Sequence, residues 1–140
     1  MTHKPLLGTI AALALGIGST AAMAGDPAAG EREWRQCRSC HMITDNDGNM
    51  IQRGGRVGPN MYGIIGQPAA SVDGFRYSSD LVAAGRDGLT WTRENFIAYL
   101  QDPSGFLREF TGNSSARSSM NFQLRSGAED LYAYLRSLQD

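Results

Sequence analysis

Cys37-Arg38-Ser39-Cys40-His41 places two thiols and an imidazole within five residues. Two cysteines at this spacing can each add to one vinyl group of a single porphyrin, and the adjacent histidine is then held under the iron. The pattern is the attachment signal of c-type haem. Other readings of the same residues are weaker. A thioredoxin-like redox pair belongs in a βαβ setting, and no such pattern surrounds these cysteines. A structural zinc site needs four ligands. Cys37, Cys40 and His41 supply three, and carboxylates are poor substitutes for the fourth.

The start of the chain reads as an export signal. Lys4 gives a positive n-region, a short apolar run follows, and Ala22-Met23-Ala24 has the small-x-small form of a signal-peptidase site. We therefore expect a cleaved signal peptide over residues 1–24, a single domain over 25–140, and a periplasmic location. Lys4 is the only lysine. Beyond it stand twelve arginines against fourteen acidic residues, a formal charge of −2 before any cofactor. That balance excludes broad binding to nucleic acid or anionic membrane, which needs a basic excess. His3 also leaves with the leader, so His41 becomes the sole histidine.

With histidines exhausted, a sixth iron ligand must come from elsewhere, and methionine is the usual partner. Met42 adjoins His41 and cannot reach the other face of a porphyrin. Met50 and Met61 sit early in loops and suit packing. Met120 lies in the segment before the last helix, far enough along the chain to cross over. Histidine and methionine together fill both axial positions, which favours electron transfer over binding of oxygen or peroxide.

The elements that position these residues read as short helices separated by long loops. Asp26-Pro27 is an N-cap with proline at the first helical position, opening an amphipathic helix over 28–38. Residues 45–58 are rich in Gly, Asp and Asn and read as loop. A brief helix is expected over 60–65 and another over 79–84, closed by Gly85. Thr92 caps a helix through Gln101 that Pro103 ends, and 104–119 reads as irregular. Ser126-Gly127-Ala128-Glu129 matches a capping box, with Leu131, Leu135 and Leu138 following at helical spacing. No strand pattern stands out. So much loop in so small a chain leaves a thin core, an objection that a large buried prosthetic group removes.

The segment 25–140 resembles class I cytochrome c, and within it the cytochrome c2 family of purple-bacterial type. Gly25-Asp26, Gly30, Trp34, Cys37 to His41, Gly58-Pro59-Asn60, Phe75-Arg76-Tyr77, Leu89-Thr90-Trp91 and Glu129-Asp130-Leu131 fall in that family's order. The stretch 106–120 is similar to the extended loop of the c2 branch. The resemblance implies an all-α class I cytochrome c fold, short helices and long loops wrapped around one covalently attached haem c. It implies a soluble, monomeric one-electron carrier, not an enzyme. Its partners would be a bc1-type complex as donor and a photosynthetic reaction centre or terminal oxidase as acceptor.

The resemblance also assigns roles. The Pro59 carbonyl would accept the Nδ1 proton of His41, and Met120 would be the distal ligand with Tyr99 near its sulfur. Tyr77, Trp91 and Ser118 would bind the haem propionates, and Phe122 would sit near the exposed haem edge. Gly30 and Trp34 would let the first helix approach Leu131 and Tyr134 closely. Two departures stand out. Gln67 replaces the family's arginine, removing a positive partner for a propionate and implying a lower reduction potential. The lysines that ring the haem edge in relatives are absent, with Arg38, Arg117, Arg125 and Arg35 as candidate substitutes. The rival readings are a peroxidase-like enzyme whose Met120 dissociates easily, and a sensor of diatomic gases. Both need an open iron site.

Overall fold

The computed structural model describes residues 25–139; the expected signal peptide lies outside the described residues. Among the described residues there are five helices, α1 Pro27–Glu33, α2 Ser79–Arg86, α3 Arg93–Gln101, α4 Pro103–Thr111 and α5 Ala128–Ser137; long connections join all but α2 to α3 and α3 to α4. A 3-10 turn, Trp34–Gln36, carries α1 into the Cys37–His41 loop. Among the described residues, no helix is long and apolar enough to cross a membrane.

The first and last helices form the main packing contact. Asp26 caps α1 by accepting the Ala28 N–H, and its own N–H donates to Asp130 Oδ1 on α5 at 2.8 Å. Gly30 is buried where the helices cross: a Cβ there would fall on the Asp130 carbonyl and within 2.7 Å of Tyr134 Cβ. From α5, Leu131, Tyr134 and Leu135 are buried together with Trp34. The glycine expected to permit close approach sits at that crossing.

The N-cap of α3 is Thr92, whose hydroxyl accepts the Asn95 N–H, and the helix ends at Gln101 as the sequence suggests. Four other expectations need correction. Residues 104–119 are not all irregular, because Pro103 both stops α3 and opens α4. Asp102 caps α4 through the Gly105 N–H at 3.0 Å, and proline occupies a first-turn position where no amide is needed.

Second, the 45–58 loop contains part of an antiparallel hairpin, β1 Ile43–Thr44 with β2 Met50–Gln52. Strands of two and three residues are too short to show alternation. Their turn is held by Asp45, whose carboxylate accepts the N–H groups of Asp47 and Asn49 and the Asn49 side-chain amide. Those bonds hold its carboxyl below the usual range. Third, residues 60–65 turn without forming a helix. Asn60 spends its side chain on both backbone groups of Thr44, at 3.0 and 2.8 Å.

Fourth, the capping box at 126–129 does not form. Gly127 is the N-cap of α5, with φ of 81° and no side-chain cap. Glu129 is instead taken by Arg93 of α3, whose Nη2 lies 2.6 Å from the carboxylate. Smaller shifts are the break of the first helix into α1 plus a 3-10 turn, and the run of α2 through Gly85 to Arg86.

The helix crossing yields a direct test. Gly30→Ala would have to push α1 off α5, and overpacking of this kind costs about 1–3 kcal/mol. Urea unfolding of the haem-loaded protein should show that loss; an unchanged midpoint would mean the crossing adjusts freely.

Candidate haem-binding site

The two buried apolar clusters do not merge into one core. One centres on Trp34, Phe96, Leu124 and Leu131, the other on Leu81, Leu89, Tyr99 and Leu107. Between them lies a cavity of about 470 Å³, within the range of small-molecule and cofactor sites. Trp91 and Met120 pack against both clusters and also line the cavity.

The attachment loop forms one wall. The 3-10 turn delivers Cys37, half-buried, and a tight turn in which the His41 N–H bonds the Cys37 carbonyl brings Cys40 and His41 to the cavity. Burial first, then the charges of Glu33 and Cys40, push the Cys37 thiol up to about 11. It is therefore a neutral thiol near pH 7, unlike a catalytic thiolate. Among the described residues no group of three His, Cys, Asp or Glu could hold a metal ion.

His41 is fixed by what surrounds it. Its Nδ1 lies 2.9 Å from the Pro59 carbonyl. A carbonyl only accepts, so Nδ1 carries the proton and Nε2 keeps its lone pair. Burial lowers the pKa of His41 against the opposing effect of the Pro59 bond, which keeps the imidazole neutral and competent as a ligand. Residues 54–58 clasp the loop from outside: Gly55 N–H donates to the Arg38 carbonyl and Gly58 N–H to the Cys40 carbonyl, at 2.9 and 2.8 Å. A Cβ at Gly58 would collide with the His41 ring, 2.7 Å from Nε2. The sequence shows this stretch only as a glycine-rich loop; its role as a belt is a long-range contact that composition does not signal.

Met120 arrives on a separate arm between α4 and α5, and the arm is tied down by side chains. Ser118 Oγ accepts the Met120 N–H at 3.0 Å and lies 2.6 Å from Tyr99 Oη. The Ser118 N–H donates to Ser104 Oγ on α4, and the Arg117 N–H donates to Asp80 Oδ2 on α2. Ser104 and Asp80 are not legible as site residues in the sequence, since the bonds span fourteen and thirty-seven positions. Burial raises the Tyr99 pKa, with the Ser118 bond opposing, so the phenol stays protonated.

Eight of the nine expected residues line this cavity: Cys37, Cys40, His41, Pro59, Tyr77, Trp91, Tyr99 and Met120. Ser118 does not. It is buried behind the wall, with its hydroxyl occupied by Tyr99 and the Met120 N–H. Tyr77 lines the cavity while its Oη accepts the Val72 N–H at 3.3 Å. Gln67 is exposed and outside the lining, and its carbonyl accepts the Trp91 N–H. Exposed Val57 and Phe122 stand among the lining residues.

No family model matches the chain. Individual proteins do. Cytochrome c-551 of Roseobacter denitrificans is 50% identical over 114 residues, 81% of either chain. Cytochrome c2 of Rhodobacter capsulatus is 42% identical over 130 residues, 93% of either chain. The chain belongs to the cytochrome c2 family. Solved structures agree: the crystal structure of a cytochrome c2 point mutant is 40% identical and superposes with a TM-score of 0.81, covering 83% of this chain and all of that one. Ferric cytochrome c-550 from Paracoccus versutus gives 0.80 at 37% identity, over 83% and 99% of the two chains.

Cytochromes c2 are electron carriers with one covalent c-type haem, and this chain has the class I cytochrome c fold that holds it. The residues present fit that group. An apolar cavity of suitable size meets two thiols, a neutral imidazole and a thioether sulfur, and among the described residues no carboxylate lines it. A porphyrin carrying its own two carboxylates would meet no like charge there.

The belt around His41 is testable. Gly58→Ala should displace the imidazole and lower the haem-to-protein absorbance ratio of exported protein well below wild type. Full haem loading with unchanged spectra would show that the ring has room to move.

Proposed function

We propose that this cytochrome c2 is a periplasmic one-electron carrier, exported by a cleaved leader and acting as a soluble monomer. One haem is bound through Cys37 and Cys40 and ligated by His41 and Met120. The carrying observation is that His41, whose Nε2 is left unprotonated by the Pro59 bond, lines the same cavity as Met120. The two come from segments far apart in the chain, and each is held by its own set of hydrogen bonds.

When bound, haem iron stores or releases one electron between its ferric and ferrous states. Pro59 fixes the His41 ring, and the Tyr99–Ser118 pair holds the Met120 backbone amide, so both arms are anchored when the charge changes. Tyr77 and Trp91 offer donors to the haem propionates, and Ser118 acts through Tyr99 and the Met120 amide. Held by both His41 and Met120, the iron would offer oxygen and peroxide no free site, which favours a carrier over an enzyme or gas sensor.

The chemistry of a carrier requires brief docking. Val57 and Phe122 give the cavity mouth exposed apolar surface, and exposed Arg35, Arg38, Arg117 and Arg125 can pair with carboxylates on an acidic face. Donor and acceptor would be a bc1-type complex and a reaction centre or terminal oxidase.

Optical spectroscopy tests the ligand pair. The ferric protein should show the weak far-red band of iron bonded to methionine sulfur, and Met120→Ala should abolish it and admit cyanide rapidly. A wild type without the band that binds cyanide at once would favour the peroxidase or sensor readings. Docking through the arginines should make rates with the donor complex fall steeply as salt rises; a flat response would remove them from the mechanism.

A further inference from the structure

Arg76 is the only Asp, Glu, Lys or Arg among the described residues that line the haem cavity. It comes from the loop before α2, between Phe75 and Tyr77, whose rings touch edge to face at 4.8 Å and which also line the cavity. Arg76 is exposed and pairs with no carboxylate; among the described residues, the ion pairs shown are those of Arg93 with Glu94 and Glu129. The neighbouring lining residues Ser71, Tyr77 and Ser78 add hydroxyl groups from the same loop. An unpaired cation and a run of hydroxyls on one stretch of an otherwise apolar wall form a recognition surface for carboxylate.

We infer that Arg76 is the cationic partner of the haem propionates in this protein and raises its reduction potential, supplying the charge that Gln67 does not. This rests on the haem reading above. Gln67 lies outside the lining, whereas Arg76 reaches it from further along the same connection, so the positive charge is relocated along the chain. A fixed cation beside the porphyrin disfavours the more positive ferric state and stabilises the ferrous one. Because Arg76 is exposed, the effect is moderate and screened by salt. Arg76 acts here as a positioning and electrostatic residue: it does not bond iron.

The test is the midpoint potential of haem-loaded wild type, Arg76→Gln, Arg76→Lys and Arg86→Gln, at low and high ionic strength. Arg86 is an exposed arginine on α2 outside the cavity lining, so its variant removes the same charge without the contact. At low salt Arg76→Gln should lower the equilibrium constant for reduction by about threefold, about 28 mV for one electron. Arg76→Lys should keep most of the wild-type value, Arg86→Gln should shift it much less, and the Arg76→Gln deficit should shrink at high salt. Equal shifts in Arg76→Gln and Arg86→Gln would overturn the assignment, as would a loss in Arg76→Lys as large as in Arg76→Gln. Failure of the haem reading itself would look different: no haem spectrum in any of the proteins.

Discussion

The physical constraint behind everything else is a core that its own side chains do not fill. Two apolar clusters face each other across about 470 Å³. A large apolar group seated there takes the lining side chains out of water, worth about 25 cal/mol per Å² of apolar surface covered. The haem is thus part of the hydrophobic core as well as the redox centre. Long loops, which would otherwise count against so small a fold, become the wrapping of a large apolar group. The helix crossing at Gly30 closes the shell at one side, and the belt over the attachment loop closes it at another.

His41 and Met120, the proposed iron ligands, are held by different means. His41 is fixed locally, by the tight turn from Cys37, by the Pro59 carbonyl and by glycines pressed against it. Met120 is fixed remotely, by bonds from α2, α3 and α4 that converge on Arg117 and Ser118, and through Ser118 on its own amide. A carrier benefits when neither ligand moves as the iron changes charge. The polar groups that tie down the Met120 arm are placed behind the wall, as with Ser118, where they satisfy one another and leave the cavity apolar.

What is legible in the sequence follows from range. The haem attachment signal occupies five consecutive residues, and α3 announces itself through Thr92 and Pro103. Signals that depend on competition mislead. Pro103 reads as a stop when it is also a start, and Glu129 looks free to cap α5 when Arg93 holds it. The hairpin at 43–52 is too short to carry a period. In the site, resemblance places eight residues on one cavity. The tethers from Ser104 and Asp80 and the closeness of Gly58 to His41 depend on tertiary contact, and no local pattern announces them.

The central claim is that His41 and Met120 hold the iron in both oxidation states. X-ray absorption at the iron edge, on exported protein oxidised and then reduced, tests it most directly. The account predicts five nitrogen ligands and one sulfur in each state, with bond lengths nearly unchanged. A sulfur lost on either side of the redox change, or absent from both, would contradict it.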